Sequence, residues 1–256
     1  MEGSQEKDIH LVYKKLGETP LLCIDRFRKE NTDFSMAKIT YAGRLDPLAE
    51  GLLILLTNEK VNEKERYLDL EKVYEVEILW GFSTDTADLL GKVTNIKSQV
   101  PEQKNVEEYL LKSVGDFVQD YPAYSSKPVE GKPLFTWARE NRLNEIKIPS
   151  HGVSLKEVEY LGRKNVSNVE LLTEIREKIN LVKGDFRQNE ILDKWKEALD
   201  ENMKYVIDKF IINVSSGFYV RQFVSDMASS FETSGTTFHI KRVKVGDFTI
   251  ADCIQL

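Results

Sequence analysis

Apolar positions recur along the chain with two different periods. Over 19–30, "TPLLCIDRFRKE" places Leu21, Ile24 and Phe27 at helical spacing and opens on Thr19–Pro20, a helix-start signal. The preceding "IHLVYKK" reads as a short strand leading to Gly17. "VYEVEILWGF" alternates Val73, Val76 and Ile78 against charged residues, the signature of a strand with one wet face. "NVEEYLLKSVGDF" predicts a helix, and "STDTADLLGKV" and "YPAYSSKPVEGKPL" predict turn-rich and irregular connections. "FIINVSSGFYVRQFVSDMASSF" reads as strand, glycine turn and helix, and "FHIKRVKVGDFTI" supplies one or two closing strands.

Residues 165–205 differ in character. "SNVE" at 167–170 is a capping-box pattern. Leu171, Ile175, Ile179 and Val182 then form one apolar stripe, and Ile191, Trp195 and Leu199 form a second after Lys183–Gly184. The expectation is a helical hairpin with one apolar face per helix, packed against the main body.

Composition narrows the class. With 41 % hydrophobic and 30 % charged residues in 256, the chain has material for a core and reads as a soluble protein. A net charge of −6 argues against a general polyanion binder. The charge is uneven, however: residues 165–208 carry half of that excess, and Lys209, Arg221, Lys241, Arg242 and Lys244 face only Asp226 and Glu232 in the next stretch. An acidic total therefore leaves room for a local basic face. Two distant cysteines, Cys23 and Cys253, make no disulfide framework, and His10, His151 and His239 show no metal-ligand spacing. The polar start "MEGSQEKD" lacks the apolar core of a leader, and the apolar run Leu52 to Leu56 is too short to cross a bilayer. A cytoplasmic protein without membrane contact is expected.

One carboxylate stands out. Asp46 lies between Leu45 and Pro47, just before that apolar run, where an unpaired charge is costly. Gly43 permits a tight backbone path, Pro47 biases Asp46 away from helix, and Arg44 is near enough to pair with it or with an anion. Alone, such an Asp is usually a turn residue.

The segment Gly43-Arg44-Leu45-Asp46-Pro47-Leu48-Ala49-Glu50-Gly51 resembles the signature of the TruB family of tRNA pseudouridine synthases. Four further blocks agree in order: "KVYEVEILWGFSTDTADLLGKV" (72–93), "YPAYSSKPVEGKPLFTWAR" (121–139), "SSGFYVRQFVSDMA" (215–228) and "IKRVKVGDFTIADCI" (240–254). The resemblance implies an α+β pseudouridine synthase fold, a mixed and largely antiparallel sheet flanked by helices. It implies Asp46 as the group that starts glycosidic cleavage of a uridine, by attack on ribose, by attack on the base or as a base. Tyr74 would stack on the target uracil, and Arg221 would pair with Asp46, keeping it ionised and aimed. Tyr219 and Ile240 would complete an apolar slot. Lys14, Lys132, Arg139, Lys241 and Arg242 would contact phosphates, Tyr41 would stand at the flipped-out RNA bases, and Arg44 would be a further substrate-binding residue.

The chain departs from the family pattern at Tyr41, where the family has His, and at Lys127–Pro128, where the Lys is displaced by one position. The expected organisation is one catalytic domain over 1–256, with 165–205 as a helical insertion and without the PUA-like C-terminal domain. The expected activity is isomerisation of uridine to pseudouridine at the T-arm uridine (position 55 of standard tRNA numbering), by a monomer whose partner is the tRNA T-arm stem-loop, with no cofactor and no metal. Two alternatives stay open: a non-catalytic RNA chaperone that kept the fold, and a pseudouridine synthase acting on another RNA.

Overall fold

A computed structural model describes residues 8–254; the stretch 1–7 examined for leader character lies outside them. In chain order the first half comprises β1 (Ile9–Lys14), α1 (Pro20–Glu30), β2 (Ile39–Ala42), β3 (Ala49–Thr57), α2 (Lys64–Leu68) and β4 (Lys72–Trp80). There follow β5 (Phe82–Thr84), β6 (Val93–Ile96), α3 (Gln103–Lys112), β7 (Gly115–Asp120), β8 (Pro128–Val129), β9 (Lys132–Pro133) and α4 (Leu134–Arg139). The chain closes with β10 (Ser150–Ser167), α5 (Asn168–Leu181), α6 (Gln188–Ala198), β11 (Lys204–Val214), α7 (Val220–Ser230), β12 (Gly235–Val245) and β13 (Phe248–Thr249).

While β5 pairs with β6 and β8 with β9 in two small separate sheets, nine strands build one mixed sheet in the order β1-β3-β12-β4-β11-β10-β7, with β2 on β3 and β13 on β12. Only β3 and β12 run parallel within it; the other pairings are antiparallel, as expected. Strand β3 shows why its sequence is a continuous apolar run. Leu52, Ile54 and Leu56 join Leu11, Tyr67 and Val245 on one face, while Leu53 and Leu55 join Cys23, Ile24 and Phe27 of α1 on the other. A strand covered on both faces has no wet side on which to alternate. Where β3 meets β12, Gly51 sits at φ +110°, and a Cβ there would lie 2.2 Å from the Arg242 carbonyl oxygen. Only glycine fits that approach of two backbones.

Strand β4 carries the wet-face pattern with a different parity. Tyr74, Val76, Ile78 and Trp80 enter the main core against α3 and α7, whereas Val73 shares the other face with Glu75 and Glu77. Of the three apolar positions read as one face, Val76 and Ile78 enter the core and Val73 does not, because the inward residue at its level is Tyr74. In α1 the helix begins at the expected cap, Thr19 accepting from the Leu22 N–H, but Leu21 points outward and Pro20 and Cys23 are buried instead. Helix α3 stops at Lys112 rather than running through "GDF", because Gly115 turns the chain at φ +133° into β7. The long strand β10 falls where the sequence predicted nothing. Its bulges at Leu155/Glu157 and Tyr160/Gly162 break the alternation that would have revealed it.

The hairpin of α5 and α6 forms as predicted, with Ser167 and Glu170 closing the capping box. Both apolar stripes pack with Leu79, Phe82, Leu89, Leu90 and Phe238 on the face of the sheet opposite α7. Trp195 Nε1 donates to the Leu89 carbonyl at 3.2 Å, so the hairpin also ties down the loop between β5 and β6. No described helix is long and apolar enough to cross a membrane.

Candidate active site

Asp46 sits in the short loop joining β2 to β3. Gly43 takes φ +79°, and the loop closes through Ala49 N–H to Asp46 O at 3.0 Å and Gly17 N–H to Pro47 O at 2.8 Å. Beneath it, the buried Arg242 guanidinium donates to the carbonyls of Leu52 at 2.8 Å, Gly43 at 3.1 Å and Arg44 at 3.5 Å. The loop is thus held by backbone bonds and by Arg242 rather than by the Asp46 side chain, which faces a cleft.

Arg221, in the first turn of α7, reaches Asp46 from 175 residues away, Nε to Oδ2 at 2.8 Å. Its other two nitrogens are also spent: Nη1 donates to Thr86 O at 2.6 Å and Nη2 to Tyr124 O at 3.2 Å. Asp88 adds a second carboxylate 3.7 Å from Nε. Burial works against the Arg221 charge, but Asp46 and Asp88 outweigh it and hold its pKa above the usual arginine value. For Asp88 burial wins, pushing its carboxyl upward despite Arg221. The side chain of Arg221 is 5 % exposed and that of Asp46 is 35 % exposed, so the arginine is the fixed partner and the carboxylate is the one that can meet a ligand.

The cleft, about 440 Å³, is lined by Arg44, Asp46, Tyr74, Tyr219, Arg221 and Ile240, among others. Tyr74 projects from β4 beside Leu45, Ala49 and Ile240. Tyr219 is set by the buried Gln119, whose amide accepts from the Tyr219 N–H at 2.8 Å and donates to its carbonyl at 3.1 Å. The apolar walls from Leu45, Ala49, Phe135 and Ile240, set among many polar and charged groups, suit a planar, polar-edged ligand. Among the described residues no cluster of His, Cys, Asp and Glu could hold a metal.

The five expected phosphate contacts lie in different places. Lys14 is fully buried, its ammonium donating to Ala49 O at 2.5 Å and Lys15 O at 3.2 Å, and Arg242 is the loop clamp described above. Lys14 is out of a phosphate's reach, and Arg242, which borders the cleft, is 1 % exposed with its nitrogens given to backbone carbonyls. Lys241 alternates with Ile240 onto the face away from the cleft. Lys132 pairs with Glu140 at 2.5 Å and lies 3.7 Å from the Trp137 ring centre. Arg139 is exposed over the Phe135 ring. Tyr41 stands behind the cleft on β2, accepting from Arg44 Nη2 at 3.3 Å. Sequence reasoning missed Thr86, Asp88, Tyr124 and Gln119. The first two lie in the "TDTAD" run that carried the resemblance, which was a usable signal; the others act through backbone or from a remote strand.

Buried lysines leave a measurable trace. Burial brings the Lys14 ammonium down to about 8, and burial with Arg242 nearby does the same to Lys72. Unfolding returns both to the ordinary 10.5, so between these values the unfolded chain binds more protons and stability rises with pH. Burial pushes Cys23 up to about 12 and Cys253 up to about 11, which opposes this trend above the ordinary thiol value of 9. Urea unfolding is therefore expected to show stability increasing from about pH 8 to 9, with a shallower slope in Lys14→Met. A wild-type profile that falls over this interval would contradict the burial of these charges.

Residues 31–184 match the family model described as TruB family pseudouridylate synthase, N terminal domain. The match takes in Asp46 and Tyr74 of the cleft and Asp88, the second carboxylate beside Arg221. The chain belongs to the TruB family. The tRNA pseudouridine synthase B of Malacoplasma penetrans (strain HF-2) is 28 % identical over 219 residues, covering 85 % of this chain and 77 % of that protein. The enzyme of the same name from Mycoplasmoides gallisepticum (strain R(low / passage 15 / clone 2)) is 27 % identical over 248 residues, covering 96 % and 95 %. Among solved structures, a Cbf5-Nop10-Gar1 complex superposes with a TM-score of 0.58 at 13 % identity, over 94 % of this chain and 50 % of that one, a likeness of fold. The α+β family fold expected from the five blocks is therefore the one present. Arg221, Tyr219, Ile240 and Arg242 lie beyond the family match, and it is the sheet that brings them to it.

Proposed function

We propose that this chain isomerises uridine to pseudouridine in tRNA, at the T-arm uridine, with Asp46, Tyr74 and Arg221 as its catalytic residues. The reaction breaks the bond from ribose C1′ to uracil N1, turns the base, joins C1′ to C5, releases the C5 proton to water and returns a proton from water to N1. Atoms balance without an oxidant or reductant. The observation that carries the reading is the 2.8 Å Arg221–Asp46 pair opening on a cleft walled by Tyr74 and Ile240. An ionised carboxylate held by a buried arginine serves as nucleophile or base at neutral pH. Tyr74 offers a ring for the uracil to stack on, and Tyr219 and Ile240 close the slot. Arg44, exposed at the mouth, meets the RNA backbone, supported by the Tyr41 hydroxyl. The target base must leave its stack, at a cost of a few kcal/mol, and an RNA loop is where that is smallest.

A tRNA transcript tritiated at uridine C5 tests the reading. Release of label to water is expected, and it should vanish when the T-arm uridine alone is changed to cytidine. Release that survives this change would replace the T-arm by another uridine. No release from a folded protein that still binds tRNA would favour an RNA chaperone.

A further inference from the structure

Arg187 is the residue before α6 and takes a left-handed backbone conformation, φ 64° and ψ 28°. A non-glycine residue is uncommon there, and such positions persist where the surroundings over-determine them. The loop around it is braced: Gln188 accepts from Phe186 N–H at 2.9 Å and donates to the carbonyls of Val182 at 3.0 Å and Gly184 at 2.8 Å. The braced loop thus presents Arg187 to Asp85 and to Tyr124, a residue of the cleft lining.

Arg187 Nη1 donates to Asp85 Oδ2 at 2.8 Å, and its guanidinium lies 5.4 Å from the Tyr124 ring centre. The Tyr124 hydroxyl donates to the same Asp85 oxygen at 3.2 Å, while the other Asp85 oxygen accepts from Lys92 N–H at 2.8 Å. Thr86 follows Asp85 directly. Thr86 and Tyr124 are the two residues whose backbone carbonyls receive Nη1 and Nη2 of Arg221. One cation on the hairpin therefore ties together the two loops that form the carbonyl shelf of the buried arginine.

We infer that Arg187 is a positioning residue for the reaction, acting through Asp85 and Tyr124 to aim Arg221, and with it Asp46, at the uridine. The inference rests on the pseudouridine synthase reading above. The Arg187–Asp85 pair is 29 % and 22 % exposed, and pairs of that exposure add little to stability. Misplacement of a reacting group by about 1 Å, in contrast, can slow a reaction by roughly a hundredfold. The two consequences can be separated by experiment.

The test compares wild type, Arg187→Ala, Arg187→Lys, Asp85→Asn and the Arg187→Ala/Asp85→Asn double variant. Each is assayed for single-turnover tritium release at saturating tRNA, tRNA affinity and Tm. Arg187→Ala should be about ten- to a hundredfold slower with affinity and Tm unmoved. Lysine should restore part of the rate, and the double variant should be no slower than the slower single, as expected of residues in one chain of contacts. A wild-type rate in Arg187→Ala, or a loss that merely follows Tm or affinity, overturns the inference while leaving the activity intact. An inactive wild type overturns the function reading and the inference with it.

Discussion

Asp46→Asn is expected to lower single-turnover pseudouridine formation by about 10⁴-fold or more, in line with removal of a group on which covalent or general-base chemistry depends. The substitution keeps shape. The asparagine carbonyl can still accept from Arg221 Nε, which Asp46 now meets at 2.8 Å, and Asp88 remains nearby to balance the buried guanidinium. What disappears is the negative charge, and with it the basicity and nucleophilicity that let an oxygen attack or take a proton. Tm within about 2 °C of wild type and unchanged tRNA binding should accompany the loss, since the loop is held by Arg242 and by backbone contacts rather than by the carboxylate. Turnover within tenfold of wild type would remove Asp46 from the chemistry.

Asp208→Ala should produce the largest loss of stability. Asp208 is fully buried on β11 and its two oxygens accept four hydrogen bonds: from Trp80 Nε1 at 2.7 Å, Tyr160 OH at 2.6 Å, and Arg163 Nε and Nη2 at 2.7 Å each. Trp80, Tyr160 and Asp208 stand on β4, β10 and β11, so one carboxylate ties the three strands where bulged β10 joins the sheet. Truncation leaves the buried indole N–H without a partner and takes the carboxylate from a partly exposed guanidinium, a cost of roughly 3 kcal/mol. For a domain of this size that corresponds to a fall in Tm on the order of 10 °C. Urea unfolding and a thermal melt measure it, and a Tm within about 2 °C of wild type would show the network to be dispensable. Because Asp208 lies outside the cleft lining, tRNA turnover at low temperature should persist.

Local periodicity accounts for what was legible in the fold. Leu171, Ile175, Ile179 and Val182 recur at the helical period, and the preceding Ser167–Glu170 box stops the chain from starting the helix elsewhere. These signals involve neighbours in sequence, so no tertiary knowledge was needed to read them. Strand β10 has the opposite character. It is bulged and half exposed, and its identity as a strand comes from pairing with β7 and β11, which no local pattern encodes. The Val73 parity error has the same root: both faces of β4 carry a branched or aromatic residue, and only α7 decides which face is covered.

For the site, the sequence by itself determined the chemical types: an aspartate in a glycine-marked loop, a tyrosine on a strand, an arginine at a helix start, and a family signature linking them. Only the tertiary structure decided which charges are free to act. Lys14 and Arg242 look like phosphate contacts as letters, yet carbonyls brought from β3 and the Asp46 loop surround them and make them struts. Arg221, which the resemblance already paired with Asp46, is in addition buried, with its other nitrogens held by the carbonyls of Thr86 and Tyr124. The physical reason is that a charge's role depends on its solvation and on the groups that satisfy it, and in this protein those groups come from segments far away along the chain.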